Sequence, residues 1–559
     1  MQIILLKLLL SILALNLQTE NQKERFKMTF EQYIHGMTRR ELVSHLLCPA
    51  IRSTPIPTAD PREYFDVIFA DPEFKPGTVF FFNSKKEDII KMHKKLTEHI
   101  GSAPIGSMDM ETSPRAIEGC TNFGTAMSIS AAGSLEDAYT CGESCAKEGL
   151  ECGIGWSYGP VADLNINPKN PIINTRSWGD DADRAGDFVE AFVKGMQDNG
   201  MIATAKHFPG DGVDDRDQHI CTTANTLSKE EWMATFGKMW KRLIDGGLRS
   251  IMPGHIGLPA YEEDGKIVPA TISKTLLTDL LRGEFGFDGL IVSDGMNMGG
   301  LAPYVTTEEG IIKMVQAGCD VLLFANFWAD ISYILDVLEK AIDDGDITIE
   351  RVKESVYRIF KEKQRLGLLG EGEKMIYKPC DKADIERYNE TAARIAKNAL
   401  SIYKNELGVL PLDESKIKKV ISVDVTNSEG PVNNLVDEVM RQKGIEVIKY
   451  GEYTENGLVR EAQLPKADVI IVHFYYRSQW CTNHIAPNGA MIRCVYEYMF
   501  KTNMPVVMVC HGSPYIPFTF PYVKTILNTF SDTDVDANAI YDVLFGKLEA
   551  KGVSPVKLP

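Results

Sequence analysis

The sequence predicts an α/β protein, a (β/α)8-type TIM barrel followed by a smaller α/β sandwich domain. Three observations carry that prediction. Apolar runs rich in β-branched and aromatic residues alternate with amphipathic stretches long enough to cross back over a sheet, the signature of βαβ units. Polar residues close many of those runs, as in a barrel, whereas a doubly wound sheet gathers its site at one switch point. After about Gly370 the pattern changes, and a second, smaller alternating set follows.

The strand-like runs of the first set lie at residues 78–82, 104–108, 156–161, 202–208, 250–256, 290–293 and 321–325. Helical patterns fill the intervals at 85–100, 183–197, 229–244 and 273–281. The polar residues at successive run ends are Asp109, Asp163, Lys206 with His207, His255, Asp294 and Asn326. No glycine-rich dinucleotide or phosphate loop occurs, which argues against a nucleotide-binding sheet. A polar helical stretch over 381–399 and a turn at Leu410, Pro411 and Leu412 precede the second set. Its strands are expected at 420–425, 469–474 and 505–509, with a helix at 432–441. The partition predicted is a leader or mis-assigned start over 1–27, a catalytic barrel over 28–375, a helical linker over 376–405 and the sandwich over 406–559.

Of the 559 residues 44% are hydrophobic and 25% charged, which excludes disordered and collagen-like chains. With 77 acidic against 60 basic residues the net charge of −17 repels phosphate backbones and anionic lipid, so nucleic acid is not an expected partner. Eleven cysteines, an odd number without regular spacing, read as reduced thiols. Cys141, Cys145 and Cys152 lie in a helical segment with no second ligand pair, so no metal or other cofactor is expected. Residues 3–17 are apolar, but Lys7 interrupts them, no charge precedes them and no small-residue cleavage site follows. A cytoplasmic location is therefore expected, with initiation at Met28 an alternative start and export the alternative location if residues 1–20 act as a signal peptide. The run is short for a membrane span, and no stable membrane insertion is expected.

The densest chemistry lies in residues 205–219 (AKHFPGDGVDDRDQH). A strand delivers Lys206 and His207 to the barrel rim, and Pro209, Gly210 and Gly212 then break regular structure into a loop carrying Asp217 and His219. Residues two apart in an extended segment project to one side, so the Asp217 carboxylate can hold one imidazole nitrogen of His219 and leave the other free. From spacing alone the plainer reading is a solvated acidic turn with a surface histidine. A second feature is 289–300 (GLIVSDGMNMGG), an apolar strand that ends at Asp294 in a glycine-rich loop. That position suits a nucleophile or general base. The alternative is a helix N-cap, which the glycines disfavour.

These residues resemble glycoside hydrolase family 3, in its β-N-acetylglucosaminidase branch. The resemblance rests on Lys206-His207-Phe208-Pro209-Gly210, on Asp217-Gln218-His219 and on Ser293-Asp294. It extends to 159–168 (GPVADLNINP), to 171–179 (PIINTRSWG) and, in the second half, to 512–515 (GSPY), 544–546 (LFG) and 555–559 (PVKLP). It implies removal of terminal β-linked N-acetylglucosamine by a retaining mechanism, the substrates being small carbohydrates such as peptidoglycan-derived fragments. Asp294 would attack the anomeric carbon, and His219 would act as general acid and then base, held by Asp217. Asp109, Arg176, Lys206 and His207 would hydrogen-bond the sugar hydroxyls. Read without the resemblance, Lys206 is an internal ion pair, His207 a satisfied core histidine and Arg176 a partner of Asp180 or Asp181.

The chain departs from the family in three places. Histidine is more usual where Asp211 stands, and serine or threonine where Gln218 stands. Where the family shows DxEGG with a nearby arginine, this chain has Asp109-Met110-Glu111-Thr112-Ser113, and Arg115 is expected to stand in for that arginine against the sugar. The rival readings are a β-glucosidase or β-xylosidase of the same family, an N-acetylglucosamine phosphorylase, and a degenerate sugar-binding barrel. The glucosidases usually take a glutamate acid from the second domain and follow the nucleophile with tryptophan, whereas Gly295 follows Asp294 here.

Overall fold

The computed structural model describes residues 30–51, 64–325, 330–369, 377, 379–427, 432–454, 457–459, 465–482, 485–531 and 536–558. The expected leader with Met28, and Asn326, lie outside the described residues.

Eight strands form the first sheet: β1 (Leu47–Ile51), β2 (Thr78–Phe81), β3 (Ile105–Met108), β4 (Ile154–Ser157), β5 (Ile202–Phe208), β6 (Ser250–Pro253), β7 (Leu290–Ile291) and β8 (Leu322–Phe324). They stand in chain order and every pairing is parallel. β8 also pairs with β1, and a parallel bridge between Val292 and Val321 joins the ends of β7 and β8, so the sheet curls into a ring. The ring is filled by side chains from every strand, among them Cys48, Phe80, Ile105, Trp156, Ile202, Met252, Leu290 and Leu323, and is a packed core, as expected for eight strands. Seven strands answer to expected runs. β1 does not, because Pro49 in its middle reads as a strand breaker.

Helices wrap the ring at Lys86–Ile100, Leu135–Glu151, Ala182–Asp198, Thr307–Ala317, Ile331–Asp343 and Ile349–Arg365. Most begin on a side chain that accepts an otherwise unmade backbone bond: Ser134, Asp181, Thr306, Asp330 and Thr348 are such caps. The stretch expected to be helical at 229–244 is helical from Lys229 to Asp245, with a π-turn at Met233–Gly237.

The second sheet has seven strands: β9 (Ser401–Asn405), β10 (Lys419–Thr426), β11 (Glu446–Thr454), β12 (Gly457–Val459), β13 (Val469–Tyr476), β14 (Val506–Gly512) and β15 (Thr525–Asn528). Their order is β9-β15-β14-β13-β10-β11-β12, with only the two outer pairings antiparallel. Both faces are buried, as a parallel sheet requires. Val469, Ile471, Val507 and Val509 pack with helices Leu435–Gln442 and Asp536–Leu544, while Ile470, Val472, Met508 and Cys510 pack with helix Gly489–Lys501. Between the two sheets helix Lys382–Asn398 lies on Leu135–Glu151, joined by ion pairs from Arg387 to Glu143, Lys147 to Asp384 and Arg394 to Asp137.

Candidate active site

β5 brings Lys206 and His207 to the C-terminal mouth of the barrel. Its end is anchored by Phe208, which is fully buried edge-on to Trp240 at 5.4 Å between ring centroids and contributes roughly 2–3 kcal/mol by burial. The indole N–H groups of Trp232 and Trp240 both donate to the Pro209 carbonyl at 3.0 Å, so the chain leaves the strand in a fixed direction.

A charged network then gathers from the end of β5 and the loops after β3 and β4. Lys206 Nζ donates to Asp109 Oδ1 at 2.8 Å and lies 2.9 Å from Glu111 Oε1. Arg176 grips the same Glu111 with two bonds, Nη2 to Oε1 at 2.7 Å and Nε to Oε2 at 3.0 Å. Burial opposes these charges, but the ion pairs outweigh it: Glu111 is held well below the usual carboxylate range by Arg176 and Lys206, and Lys206 above the usual lysine value by Asp109 and Glu111. Lys206 has only 5% of its side chain exposed, whereas Asp109 has 52%, so Asp109 is the most exposed member of the network. His207 is 4% exposed and bonds through Nδ1 to Asp163 Oδ2 at 2.7 Å. Asp163 Oδ1 accepts the His207 and Asp211 backbone N–H groups, fixing the start of the loop.

The loop beyond carries Asp217 and His219. His219 Nδ1 lies 2.7 Å from Asp217 Oδ1, which also accepts the His219 backbone N–H at 2.9 Å. Asp217 is wholly buried while His219 has 27% of its side chain exposed, so the carboxylate is no part of a solvated turn. The turn itself is the Asp214–Arg216 pair beside it. Burial pushes the Asp217 carboxyl up, but the bonds from His219 and the Cys481 backbone N–H hold it below its ordinary value. That Cys481 bond, 2.7 Å to Asp217 Oδ2, comes from the second domain.

Asp294 leaves β7 into turns, with no helix starting at it. Its Oδ1 accepts the Gly295 N–H at 2.8 Å, and its Oδ2 is buried without a hydrogen-bond partner among the described residues. Burial pushes the Asp294 carboxyl up, but the field of His207, His255 and His219 and the Gly295 N–H more than offset it and hold it below its ordinary value. His255 is fixed by Thr271 Oγ1 at 2.9 Å and the Gly295 carbonyl at 3.0 Å. The 217–221 segment docks on the 295–300 loop through Gly299 N–H to the His219 carbonyl and Gly300 N–H to the Gln218 carbonyl, so both catalytic candidates sit on one tied unit.

Asp109, Arg176, Lys206, His207, Asp217, His219 and Asp294 thus gather at one mouth. Arg115 is exposed, and its side chain makes no hydrogen bond or ion pair with the Lys206 network. Sequence reasoning assigned no role to Glu111, to Asp163 or to the Cys481 amide. Asp163 stood at a strand end and Glu111 two residues past Asp109, but their partners are 44 and 65 positions away in the chain, respectively. Arg176 pairs with Glu111 rather than with Asp180 or Asp181. Among the described residues no group of three or more His, Cys, Asp or Glu could hold a metal ion, and no helix is long and apolar enough to cross a membrane.

The sequence pattern of the Glycosyl hydrolase family 3 N terminal domain matches residues 77–361, which spans β2 to β8. A Beta-N-acetylglucosaminidase/beta-glucosidase of Cellulomonas fimi is 32% identical over 474 residues, covering 79% of this chain and 81% of that protein. A Beta-hexosaminidase of Chromobacterium violaceum is 34% identical over 193 residues, where the match spans about half of that relative, 53%. Among solved structures a beta-glucoside phosphorylase superposes with a TM-score of 0.81 at 26% identity, covering 96% of each chain. A glycoside hydrolase family 3 beta-N-acetylglucosaminidase from a Paenibacillus strain shares the fold, with a TM-score of 0.78 at 24% identity over 93% of this chain and 99% of that one. On the barrel pattern and on a relative matched along most of its length, this chain belongs to glycoside hydrolase family 3.

Proposed function

We propose that the chain removes terminal β-linked N-acetylglucosamine from small carbohydrates with retention of configuration. The observation that carries this reading is the His219–Asp217 pair at 2.7 Å on a loop tied to the loop of Asp294, a partly exposed residue whose carboxyl is held below its ordinary value. In the first step Asp294 Oδ2 attacks the anomeric carbon as the bond to the leaving oxygen breaks, and His219 Nε2 gives that oxygen its proton. In the second the neutral imidazole takes a proton from water, the water oxygen bonds to the anomeric carbon, and Asp294 departs as carboxylate. Asp217 accepts from Nδ1–H throughout, which fixes the tautomer and stabilises the imidazolium. An imidazole here replaces the second carboxyl of most glycosidases. Asp109, Lys206, Arg176 and His207 bind the sugar hydroxyls, strongly because the groups are charged and held by one another. Peptidoglycan fragments are the natural source we propose, in a cytoplasm, where eleven free cysteines are at home.

Two other readings have an observation behind them. The double name of the Cellulomonas fimi relative favours β-glucosides as further substrates. The 0.81 superposition on a beta-glucoside phosphorylase favours phosphate as acceptor: a phosphate oxygen bonds to the anomeric carbon, Asp294 departs, and the sugar 1-phosphate forms with no proton abstracted by His219.

Nitrophenyl β-glycosides of N-acetylglucosamine, glucose and xylose, each with and without phosphate, test the choice. The N-acetylglucosaminide should turn over fastest. Asp294→Ala should lose at least about a thousandfold in kcat with the fold intact, since a nucleophile is not replaced by positioning. Residual activity within about tenfold of the parent would contradict the assignment. His219→Ala should lose more on an unactivated glycoside than on the nitrophenyl one, because only the former needs a proton delivered. Equal losses on both would return His219 to a surface histidine.

A further inference from the structure

Proton donor and nucleophile stand on different loops, so catalysis depends on what fixes one relative to the other. Backbone bonds from Gly299 and Gly300 tie the two loops together. Gln218, between Asp217 and His219 in the chain, ties that unit to the barrel rim through its side chain, which is buried with the residue 1% exposed. Its Oε1 accepts the His255 backbone N–H, just past β6, at 3.0 Å, and its Nε2 donates to Asp211 Oδ2, at the start of the loop, at 3.3 Å. Gly254 makes room for the carboxamide: a Cβ there would stand 2.8 Å from Gln218 Oε1 and 3.1 Å from the His207 Cβ.

The direction of this bond is dictated by its surroundings. A backbone N–H can only donate, so the Gln218 oxygen faces His255 and its NH2 group faces Asp211. Asp211 Oδ1 already accepts Asn170 Nδ2 at 2.9 Å and the Gly212 N–H at 2.6 Å, so Oδ2 is the oxygen left for Gln218. The Asp211 N–H donates to Asp163 Oδ1 at 2.6 Å, and Asp163 Oδ2 holds His207 Nδ1 at 2.7 Å. At the other end His255 Nε2 donates to the Gly295 carbonyl at 3.0 Å, next to Asp294 in the chain. Hydrogen bonds therefore run from His207 through Asp163, Asp211, Gln218 and His255 to the loop of the nucleophile.

We propose that Gln218 and Asp211 are positioning residues, and that their bond, donated by Gln218 and accepted by Asp211, holds His219 where it can pass a proton while Asp294 attacks. This rests on the roles given above to Asp294 and His219. The two side chains touch neither sugar nor reacting atoms, so their effect belongs to kcat and not to KM.

Reversing the bond tests this. Asp211→Asn keeps an oxygen for Asn170 and Gly212 but sets an NH2 group against that of Gln218, and Gln218→Glu sets a carboxylate against that of Asp211. Each single variant breaks the bond, whereas the double variant restores it with donor and acceptor exchanged. kcat and KM are measured for all four proteins on an N-acetylglucosaminyl disaccharide, which needs a proton delivered, and on the nitrophenyl glycoside. Each single variant should lose about tenfold or more in kcat on the disaccharide, less on the nitrophenyl glycoside, with KM within about threefold of the parent. The double variant should return to within about threefold of the parent, which a folding defect would not allow. Where the buried carboxylate pair of Gln218→Glu prevents folding, Asp211→Asn and the double variant carry the same prediction.

Single variants within about twofold of the parent, equal losses on the two glycosides, or a double variant no faster than Asp211→Asn would each overturn the inference. Asp294→Ala in the same assay keeps the two readings apart. If it is inactive while Asp211→Asn is parental, only the positioning role fails, and if it is active the catalytic reading itself fails.

Discussion

Asp211 and Gln218, where the loop departs from the family's usual residues, are both buried and bonded to each other, Gln218 Nε2 donating to Asp211 Oδ2 at 3.3 Å. Gln218 Oε1 also accepts the His255 backbone N–H at 3.0 Å, so the unusual pair links the start of the loop to the strand end beside Asp294. Burial first, and then the charge of Asp163, push the Asp211 carboxyl up to about 7. A carboxyl raised on folding contributes stability that is complete below its unfolded value near 4 and is lost as pH rises through its folded value, about 7. Asp211→Asn removes that titration. The melting temperature of the variant minus that of the parent should therefore climb between about pH 4 and pH 7 and level off above. A difference flat across that window contradicts the burial of an ionisable Asp211. At this scale Asp294, His219, Asp217, Lys206 and Arg176 were singled out through the motifs that carry the family resemblance, whereas spacing alone favoured plainer readings for the loop, for Lys206 and for Arg176. Glu111 and Asp163 were not, since what assigns them is a partner brought close only by the barrel.

At the scale of the element, the strand that carries the site was the most legible, β5 being expected and found over the same seven residues, Ile202–Phe208. Gly200 lies just before it and Pro209 and Gly210 follow it, so both boundaries are marked. β7 was expected at 290–293 and pairs regularly over two residues, because Ser293 and Asp294 already turn toward the mouth. The second sheet was half legible: β9, β11, β12 and β15 went unread, the first three lacking an uninterrupted apolar run. The loop after β5 depends on Gly212, whose φ of 96° is left-handed and whose added Cβ would collide with the Leu164 carbonyl. Gly212→Ala should displace the loop, costing roughly 1–2 kcal/mol for the backbone conformation before the collision is counted. kcat should fall at least about tenfold while circular dichroism stays that of the parent, because the loop lies outside the barrel core. Parental kcat would mean that the loop does not position His219.

Over the whole molecule the two sheets act as one site. The barrel supplies Asp294, His219 and the charged network around Lys206, and the second domain closes on it through the Cys481 amide and through Tyr515, whose hydroxyl accepts from Asn165 Nδ2 at 2.8 Å. The two-domain order was readable from the change of pattern after Gly370. The contact of Cys481 with Asp217 was not, because a backbone amide 264 positions away leaves no mark on the sequence. Tyr515→Phe removes the acceptor from a buried amide and should lower stability by about 1 kcal/mol, read as a lower unfolding midpoint in urea. An unchanged midpoint would show that the hydroxyl bond does not hold the domains together.

The central claim is that Asp294 becomes covalently bonded to the sugar while His219 moves the proton. Incubation with a fluorinated, slowly released N-acetylglucosaminyl substrate, followed by digestion and peptide mass mapping, measures it most directly. One glycosyl adduct per chain is expected, on the peptide containing Asp294, accumulating further in His219→Ala because release of the sugar needs the base. An adduct on any other residue, or none in either protein while substrate is consumed, would contradict it.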